Sequence, residues 1–468
     1  MSTSNTPIIV VGAGYVGLLT AVGFARDREV RIVDTDKTRI DDLANGRMPI
    51  FEPELESKFN LVRENIRLFT DLEEALEDEA ARLVFIAVNT PKRSDSGRGE
   101  GANLANVQSV IDTLLEEKNV AAVMKSTVPP GTGRDILARA KTRGSNLQYL
   151  SCPEFLQEGN AFAGIEKPYR VVVGHNGKSQ ASEELRELHS DVREAHGEGI
   201  YREMSLTEAE LVKHASNLHL AARISFANEI GNLCEELDAD VREVMQGVGA
   251  DTRIGQDFLE PGVGFGGSCF DKDVRALNTV AKDDGGMELT FVPTVLGINE
   301  GQIERVVAKL ERRIESLAGA HIAILGLAFK PETDDLRNGP AFELAHALRD
   351  RGATLRAWDH EERARKRALA NHLDGRNEGM SGDELVESVL EALQGSDAAV
   401  IVTAWPELRE IDWHAAADAM RGRLVIDGRN HLDPDTIRNA GLEYEGTGRE
   451  SRGLNRPLPQ DTVEIEIP

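Results

Sequence analysis

Ile8-Ile-Val-Val-Gly-Ala-Gly-Tyr-Val-Gly17 is the stretch that decides the fold of this 468-residue chain. Its apolar run predicts a buried strand, and the Gly-x-Gly-x-x-Gly pattern that follows predicts a tight turn into a helix. A second apolar run, Val30–Val33, ends in Asp34 at the distance that the dinucleotide-binding fingerprint requires. Together these features predict an α/β, doubly wound, Rossmann-like fold.

The three glycines have separate roles in this fingerprint. Gly12 permits the turn, Gly14 lets the backbone approach a pyrophosphate, and Gly17 lets helix and strand pack closely. The pyrophosphate then lies at the helix N-terminus. Asp34 would accept hydrogen bonds from ribose hydroxyls, and its charge disfavours a 2′-phosphate, so we expect NAD rather than NADP. The alternative is a glycine turn with a structural role only.

Further apolar runs predict parallel strands over Arg82–Val88, Val120–Lys125 and Leu147–Leu150. Each is followed by a polar motif, and ligands bind beyond the carboxyl ends of such strands. The candidate residues there are Thr90, Thr127, Glu154 and Glu158. For the two glutamates, a solvated loop position is an equally good interpretation. A polar, glycine-rich loop is expected over residues 92–102.

Apolar residues recur at three and four between Thr207 and Leu237, which predicts one long helix. A helix of this length commonly bridges two domains and pairs with a copy of itself. Lys213 and Asn217 are four residues apart and therefore project from one face. They are candidate site residues, although a lysine on a helix is normally solvated.

Pro261-Gly-Val-Gly-Phe-Gly-Gly-Ser-Cys-Phe-Asp-Lys-Asp273 is the second informative stretch. Its glycines allow a backbone that turns sharply and approaches a ligand closely. Cys269 follows, with Lys272 and Asp273 nearby, and these are the ingredients of an activated nucleophile. The alternative is a tightly packed loop in which the cysteine is a small inert hydrophobe.

A second doubly wound pattern begins after a helical connector over Pro293–Leu317. Its strands are predicted at His321–Leu325, Ala353–Trp358, Ala398–Thr403 and Leu424–Asp427. It lacks the glycine fingerprint, which suits a nucleotide ligand that is not a dinucleotide. We therefore expect four regions: a dinucleotide-binding domain over 1–205, a helical dimerisation domain over 206–317, a second Rossmann-like, nucleotide-binding domain over 318–446, and a flexible tail over 447–468.

The composition narrows the class of protein further. Asp and Glu number 80 against 54 Lys and Arg, which gives a net charge of −26, and only 14 of the basic residues are Lys. Such an acidic, lysine-poor chain suggests adaptation to high salt and argues against a nucleic-acid partner. Three widely spaced cysteines predict neither a disulfide framework nor a metal site. No membrane segment or signal region is apparent, so we expect a cytoplasmic protein.

In their order, these motifs resemble those of the UDP-glucose/GDP-mannose dehydrogenase family. The markers are VVGAGYVG, NTP, KSTVPPGT, CPEFLQEG, EAELVKHASN, PGVGFGGSCFDKD and GLAFKPETDDLRNGP, and they cover nearly the whole chain. The resemblance implies an NAD-dependent, four-electron oxidation of a nucleotide sugar at C6, UDP-glucose first among the candidates. It also implies a homodimer or a higher homo-oligomer.

Roles for individual residues come from the same resemblance. Cys269 is the implied nucleophile, which forms a thiohemiacetal and then a thioester. The other implied catalytic residues are Lys213, Asn217, Asp273, Glu154, Glu158 and Thr127. The implied cofactor-binding residues are Gly12, Gly14, Tyr15, Val16, Gly17, Asp34, Arg39, Thr90, Thr127, Glu158 and Arg337. The implied substrate-binding residues are Glu154, Phe155, Leu156, Lys213, Asn217, Arg253, Phe265, Gly266, Lys330 and Arg429, with Arg253 reaching the substrate of a neighbouring subunit.

Asp271 departs from the family pattern, which has Pro or Gln at this position. A carboxylate near Cys269 should disfavour the thiolate, unless it points to solvent. GDP-mannose and UDP-N-acetylhexosamine stay open as alternative substrates. So do a two-electron NAD oxidoreductase and a nucleotide-sugar-binding protein without turnover, and the amount of NADH formed per sugar distinguishes these classes.

Overall fold

The computed structural model describes residues 6–77, 82–91, 102–369, 379–381 and 384–449. They form two units, each built on a parallel sheet, with a helical region between them, which confirms the predicted α/β class. The loop predicted over 92–102 lies outside the described residues except for Ala102, and residues 450–468 of the predicted tail also lie outside them.

The first unit contains an eight-stranded sheet. Its strands are β1 (Ile8–Val11), β2 (Val30–Val33), β3 (Ile66–Phe69), β4 (Leu83–Ile86), β5 (Ala121–Met124), β6 (Gln148–Ser151), β7 (Val171–Gly174) and β8 (Tyr201–Met204). They lie in the order β3-β2-β1-β4-β5-β6-β7-β8, and only the β6–β7 pair is antiparallel. The sequence analysis did not identify β3, β7 and β8. Charged residues interrupt the apolar pattern of β3 and β8, whereas β7 is a short apolar run that was overlooked.

Helices cover both faces of this sheet. They are α1 (Tyr15–Phe24), α2 (Lys37–Ala44), α3 (Leu55–Val62), α4 (Leu72–Leu76), α5 (Ala105–Glu116), α6 (Thr132–Arg143), α7 (Ala161–Glu166), α8 (Gln180–Leu188) and α9 (Ser190–His196), with short 3-10 turns at Arg63–Asn65 and Glu198–Ile200. Successive residues of a strand face opposite sides. Ile8 and Val10 therefore belong to one apolar core, and Ile9 and Val11 to the other.

The helical region consists of α10 (Leu206–Glu236), α11 (Val241–Gly249), α12 (Phe270–Asp283) and α13 (Phe291–Arg313). Ser205 begins α10 with a capping box, because its hydroxyl accepts from the Glu208 amide while the Glu208 carboxylate accepts from the Ser205 amide. α10 packs against α12 and α13, and it has buried ionisable residues, Glu210, Lys213 and His214, in its first third. Of the helices in the described part of the chain, none is long and apolar enough to cross a membrane.

The second unit is a five-stranded, all-parallel sheet. Its strands are β9 (His321–Leu325), β10 (Thr354–Trp358), β11 (Ala398–Ile401), β12 (Leu424–Asp427) and β13 (Glu443–Gly446), in the order β10-β9-β11-β12-β13. Its helices are α14 (Pro340–Asp350), α15 (Glu362–Leu369), α16 (Val389–Leu393), α17 (Trp413–Ala419) and α18 (Pro434–Asn439), with a 3-10 turn at Pro406–Arg409. The four strands predicted from the sequence are present, and β13 is an additional edge strand.

The chain returns to the helical region after β13. The Gly448 amide donates to the Glu235 carboxylate at 2.8 Å, and the Gly448 carbonyl accepts from the Val241 amide at 2.8 Å. Arg449 also pairs with Asp240 at 3.2 Å. Gly448 and Arg449, which belong to the predicted tail, are therefore held against α10 and the start of α11, while Thr447 bonds to Asn430 of the second unit.

Candidate active site

The glycine-rich turn after β1 lies at the carboxyl ends of the parallel strands. Gly12 has a φ of 104°, and a Cβ there would stand 2.4 Å from the Ala87 carbonyl oxygen, so only glycine fits. At Gly14, by contrast, a Cβ would have no described atom within 4 Å apart from its chain neighbours. The start of α1 therefore faces open space, where the fingerprint locates a pyrophosphate.

Asp34 lies beside this turn at the end of β2, and the backbone fixes its carboxylate. One oxygen accepts from the Ala13 amide at 2.7 Å, and the other accepts from the Asp36 amide at 2.9 Å. Arg39 Nη1 lies 3.0 Å from the first of these oxygens. The two residues expected at the cofactor are thus an ion pair, which the sequence did not indicate.

The remaining cofactor candidates of the first unit lie around the same turn. Tyr15 and Val16 begin α1 and pack against one of the two apolar cores. The Thr90 hydroxyl donates to the Thr127 carbonyl oxygen at 3.1 Å, which joins the loops after β4 and β5. An open glycine turn with a fixed carboxylate at the next strand end fits the diphosphate and the ribose of NAD.

Cys269 stands at the start of α12, directly after the second glycine-rich loop. Its side chain is exposed on one side, and the Ser268 hydroxyl lies 3.5 Å from its sulfur. Asp273 is one turn further along α12 and is buried. The Asp273 carboxylate accepts from Asn217 Nδ2 at 2.6 Å and from the Lys272 ammonium. The thiol therefore lies close to a carboxylate with a fixed orientation.

Lys213 is only 5% exposed, so the alternative interpretation of Lys213 as a solvated lysine is wrong. Its Nζ lies 3.0 Å from Glu154 Oε1 and 5.5 Å from the ring centroid of Phe155. The Leu156 amide donates to the other Glu154 oxygen at 2.5 Å, and Arg170 lies 4.0 Å from the centre of the Phe155 ring. Glu154 is thus also part of the site rather than solvated.

The charged groups around Cys269 shift the pKa of its thiol in opposite directions. Burial by surrounding protein, followed by the Asp273 carboxylate, raises the pKa of the Cys269 thiol to about 11, while the Lys213 ammonium opposes this shift. Burial alone would lower the pKa of Lys213, but Glu154 and the other anions outweigh it and raise that pKa. The expected resting state is a neutral thiol beside a charged ammonium. Among the described residues, no group of three or more His, Cys, Asp or Glu side chains could hold a metal ion.

One buried face of α10 organises the loops around this cluster. At helical spacings of three and four, it carries Glu210, Lys213, His214 and Asn217. The Glu210 carboxylate accepts from the amides of Gly131 and Gly133 at 2.6 and 2.8 Å. The ring nitrogens of His214 lie 3.0 Å from the carbonyl oxygens of Val128 and Asp273. α10 therefore holds the loop after β5 and the start of α12 in one arrangement.

Glu158 lies where the first and second units meet. The Lys330 ammonium donates to its carbonyl oxygen, the Thr333 hydroxyl lies 3.3 Å from Oε2, and Arg337 lies 4.0 Å from Oε1. Burial and then the Asp335 carboxylate raise the pKa of Glu158 to about 7. Burial also lowers the pKa of Lys330. The predicted cofactor and substrate residues therefore meet at this junction.

Arg429 and the glycine-rich loop form a second contact between the helical region and the second unit. Arg429 Nη1 donates to the Gly264 carbonyl oxygen at 3.0 Å, and burial lowers the pKa of Arg429 to about 10. A Cβ on Gly266 would stand 2.4 Å from the Asn338 carbonyl oxygen. Phe265 is buried beside them. These three substrate candidates are thus close together.

Two candidates lie apart from the cluster. The Arg253 side chain is 87% exposed and pairs only with Asp251 among the described residues, so its own chain does not bring it to the site. Asp271 is 19% exposed and pairs with Arg275 at 2.7 Å. The suggestion that Asp271 points to solvent is wrong, and the carboxylate that most affects the thiol is that of Asp273.

Sequence reasoning missed three buried polar residues at the site: Glu52, Glu210 and His214. Glu210 and His214 continue the spacing of Lys213 and Asn217 on α10, so the helical period could have identified them. Glu52 has no such signal, because it lies in an irregular segment between two prolines, Pro49 and Pro53.

The cofactor turn and the thiol belong to one site. Tyr15, at the start of α1, donates to Glu52, which also accepts from the Gly159 amide in the loop after β6. In that loop Glu154 pairs with Lys213 of α10, and Asn217 on the same face of α10 donates to Asp273, four residues after Cys269. A dinucleotide turn that is connected in this way to a buried lysine and a thiol defines the class of protein as a dinucleotide-dependent oxidoreductase.

Comparison with known proteins supports the same class. Residues 6–193, 207–301 and 323–434 match the NAD binding, central and UDP binding domains of the UDP-glucose/GDP-mannose dehydrogenase family. The chain is 38% identical to the UDP-glucose 6-dehydrogenase of Pseudomonas aeruginosa, over 95% of this chain and 98% of that protein. It is 36% identical to a putative UDP-glucose 6-dehydrogenase of Bacillus subtilis, over 94% and 99%.

Solved structures agree with these sequence relatives. A UDP-glucose dehydrogenase from the hyperthermophilic archaeon Pyrobaculum islandicum aligns with a TM-score of 0.82 and 35% identity, covering 96% of this chain and 99% of that one. A UDP-D-ManNAc dehydrogenase from Pyrococcus horikoshii aligns with a TM-score of 0.80 and 25% identity, covering 95% and 100%. The chain belongs to the UDP-glucose/GDP-mannose dehydrogenase family, and it is an NAD-dependent dehydrogenase of nucleotide sugars.

Proposed function

We propose that the protein oxidises UDP-glucose at C6 to UDP-glucuronate and reduces two NAD⁺ in each turnover. The observation that carries this proposal is a series of contacts from the cofactor turn to the cysteine loop. Glu52 joins Tyr15 to Gly159, and α10 pairs Lys213 with Glu154 and Asn217 with Asp273. These contacts support a site that holds both a nucleophilic thiol and the hydride acceptor. The similarity to named UDP-glucose 6-dehydrogenases supports the choice of sugar.

The thiol lets the enzyme retain the sugar between two oxidations. Loss of a hydride from C6 and a proton from the hydroxyl gives an aldehyde, to which the Cys269 thiol adds as a thiohemiacetal. Loss of a second hydride and the hydroxyl proton gives a thioester. Water then cleaves the C–S bond, which releases the carboxylate and restores the thiol. NAD⁺ supplies the acceptor for each hydride.

Lys213 and its neighbours would stabilise the oxyanions of these steps. A charged ammonium beside a developing alkoxide contributes about 3 kcal/mol of transition-state stabilisation. Burial of Lys213 and its raised pKa support that role. Asn217 and Asp273, joined at 2.6 Å, would orient the attacking water, together with Thr127 and Glu158. Glu154 would exchange protons with Lys213 or with water during hydrolysis.

The substrate would lie between the helical region and the second unit. Lys330 and Arg429, with the backbone of residues 262–267, would bind its diphosphate and sugar, and Phe155, Leu156, Phe265 and Gly266 would complete the pocket. The residues that would bind NAD are Gly12, Gly14, Tyr15, Val16, Gly17, Asp34, Arg39, Thr90 and Thr127 of the first unit, together with Glu158 and Arg337. Burial of Arg429 and Lys330 supports a role in binding anions.

A panel of nucleotide sugars tests this function directly. We expect UDP-glucose to reduce NAD⁺ with the highest kcat/KM and to give two NADH for each UDP-glucuronate. A ratio of one would instead indicate a two-electron oxidoreductase, and binding without NADH formation would indicate a protein without turnover. A UDP-N-acetylhexosamine is the second candidate, because the Pyrococcus horikoshii relative aligns over the whole fold. GDP-mannose belongs in the same panel.

We further propose that α10 pairs with a second copy of itself. Leu211, Phe226 and Leu233 on this helix are 44, 44 and 52% exposed, and pairing would cover this apolar face. Arg253 would then extend to the substrate of the partner subunit. Light scattering of the purified protein should give at least twice the mass of the 51.2 kDa chain. A monomer at micromolar concentration would contradict this proposal.

The predicted domain limits assign residues 1–205 to NAD binding, 206–317 to dimerisation and 318–446 to nucleotide-sugar binding. The end of β8 and the start of α10 support the first limit, and the interval between α13 and β9 supports the second. We propose the cytoplasm as the location, because catalysis needs Cys269 as a free thiol and reducing compartments keep thiols reduced.

A further inference from the structure

Glu52 lies in the irregular segment between α2 and α3, and it is only 5% exposed. Its carboxylate accepts three hydrogen bonds. Oε2 accepts from the Tyr15 hydroxyl and the Gly159 amide, each at 2.7 Å, and Oε1 accepts from the Ala161 amide at 2.8 Å. These donors come from two separate elements. One buried carboxylate therefore joins the start of α1 to the loop before α7.

The Tyr15 end of this connection lies at the cofactor turn, one residue after Gly14. Burial and then the Glu52 carboxylate raise the pKa of Tyr15, so the phenol stays protonated and continues to donate. A hydrogen bond to an ionised acceptor is stronger than one between neutral groups. The ring of Tyr15 is thus fixed relative to the first turn of α1.

The Gly159 end lies at the second unit. A Cβ on Gly159 would stand 2.8 Å from Glu332 Cβ and 2.9 Å from the Glu332 carbonyl oxygen, so Gly159 lies close against the backbone of Glu332. The preceding residue, Glu158, accepts hydrogen bonds from Lys330 and Thr333. Any shift of the loop that carries residues 330–333 must therefore displace the partners of Glu52.

A second contact reaches the Glu52 segment from the same unit. Arg363, on α15, donates to the carbonyl oxygen of Ile50 at 3.0 Å, and Arg367 donates to that of Pro49 at 3.4 Å. Arg367 also pairs at 2.9 Å with Asp334, which lies in the same loop as Lys330. The segment with Glu52 is therefore linked to the second unit directly, through Pro49 and Ile50, and also through Gly159.

We propose that Glu52 is a positioning residue that couples nucleotide binding in the second unit to NAD binding at the turn of the first. This coupling proposal rests on the proposed function only because it takes a UDP-sugar and NAD as the two ligands. A nucleotide that orders the loop over 330–333 holds Glu158 and Gly159 in place. Through Glu52, it then holds Tyr15 in the position that NAD requires. Such coupling is reciprocal, so each ligand should tighten the binding of the other by the same factor.

The test compares NAD⁺ affinity with and without UDP, which carries the nucleotide but no sugar to oxidise. Isothermal titration gives the Kd of NAD⁺ in each condition, and their ratio is the coupling factor. We expect a factor of about 5 or more for the wild type. Glu52→Gln, which cannot accept from all three donors, and Tyr15→Phe, which removes one bond and keeps the ring, should each reduce it to below half.

The matched control is Glu54→Gln, two residues along the chain, where the carboxylate is 65% exposed and pairs only with Lys58 among the described residues. It should keep the wild-type factor. The double variant Glu52→Gln/Tyr15→Phe should have the same factor as Glu52→Gln alone, because both changes break one connection. Tyr15→Phe keeps the buried carboxylate, so it tests the proposal even if Glu52→Gln does not fold.

An unchanged coupling factor in Tyr15→Phe and in a folded Glu52→Gln variant overturns the proposal, and so does a wild-type factor of one. These results leave the proposed function intact, provided that UDP and NAD⁺ each bind alone. Failure of UDP to bind overturns the proposed function itself. If Glu52→Gln lowers the melting temperature but keeps the wild-type coupling factor, Glu52 has a structural role only.

Discussion

At the scale of single residues, Asp34 and Arg39 together determine which cofactor the turn can accept. The carboxylate repels a 2′-phosphate, but the guanidinium that lies 3.0 Å from it would attract one. The Asp34 carboxylate is fixed by two backbone amides, whereas the Arg39 side chain is 33% exposed. The fixed and buried charge should dominate.

We therefore expect kcat/KM for NAD⁺ to exceed that for NADP⁺ by about tenfold or more. Asp34→Asn should reduce this preference, because it removes the negative charge and leaves Arg39 free to pair with a 2′-phosphate. Arg39→Ala is the matched control and should not increase NADP⁺ use. Steady-state rates with both cofactors decide the question, and equal wild-type values would contradict it.

Cys269 determines whether the second oxidation can occur. Its thiol has a pKa of about 11, so the thiol form dominates near neutral pH, and addition to the aldehyde requires a proton acceptor. Through Asn217 and Lys272, Asp273 is held in the ionised form beside it, and the pKa of Asp273 stays below its usual range because the neighbouring cations outweigh its burial.

Cys269→Ala should abolish formation of the acid and leave NAD⁺ binding intact, because the glycine turn lies elsewhere in the chain. Cys269→Ser should lower turnover by several orders of magnitude, since an alcohol is a poorer nucleophile and an alkoxide a poorer leaving group. NADH production and intact-protein mass after incubation with UDP-glucose and NAD⁺ test both variants. Near-normal turnover of the serine variant would exclude covalent catalysis.

At the scale of elements, α10 is the helix on which the site is built. Its buried polar face binds the loop after β5 through Glu210, contacts α12 through His214, and presents Lys213 to Glu154. Burial raises the pKa of Glu210 to about 7, although the Gly131 and Gly133 amides oppose this shift. The folded protein thus binds this proton more tightly than the unfolded chain does.

A raised pKa in the folded state adds stability below the unfolded value of 4.5, and this stability is lost as the pH rises through about 7. Glu210→Gln should lower the melting temperature because it loses one acceptor, at a cost of about 1–3 kcal/mol. The gap to wild type should be larger at pH 5 than at pH 8. Thermal melts at both pH values measure it.

Glu229→Gln is the control for this prediction, because Glu229 is exposed on the same helix. The difference in melting temperature between Glu229→Gln and wild type should be the same at pH 5 and at pH 8. A Glu210→Gln gap that widens as the pH rises would mean that the folded protein favours the ionised carboxylate, contrary to the expectation.

At the scale of the whole molecule, the surface has a large excess of negative charge. The net charge of −26 arises although many arginines form ion pairs, such as Arg186 with Glu198 and Arg351 with Glu304. Unbalanced carboxylates repel one another, and dissolved salt screens this repulsion over about 10 Å at 0.1 M ionic strength. Repulsion among surface groups therefore opposes folding most strongly at low salt.

We expect the melting temperature to rise as KCl increases from millimolar to molar concentration. A variant that carries Asp283→Lys, Glu315→Lys and Asp418→Lys, all at exposed positions outside the first turn of a helix, should show a smaller rise because its repulsion is weaker. Differential scanning calorimetry of both proteins across the salt series measures the effect. A flat or falling wild-type curve would contradict the interpretation of a protein adapted to high salt.

Local sequence patterns determined the fold class and most of the candidate site. The glycine turn, the acidic end of β2 and the period of α10 each depend on neighbouring residues, whose geometry a strand or a helix fixes. Lys213 and Asn217 could be assigned to one face of a helix for that reason. The order of the motifs along the chain identified the family.

Tertiary structure alone decided which side chains meet across long separations. The pairing of Asn217 with Asp273, the burial of Lys213 against Glu154 and the three donors to Glu52 depend on how strands and helices pack, and no local period encodes them. Their charge states follow from this packing, because burial and neighbouring charges shift each pKa. The sequence by itself therefore determined the chemical groups of the site, and the packing of the two units around α10 determined their contacts and their ionisation.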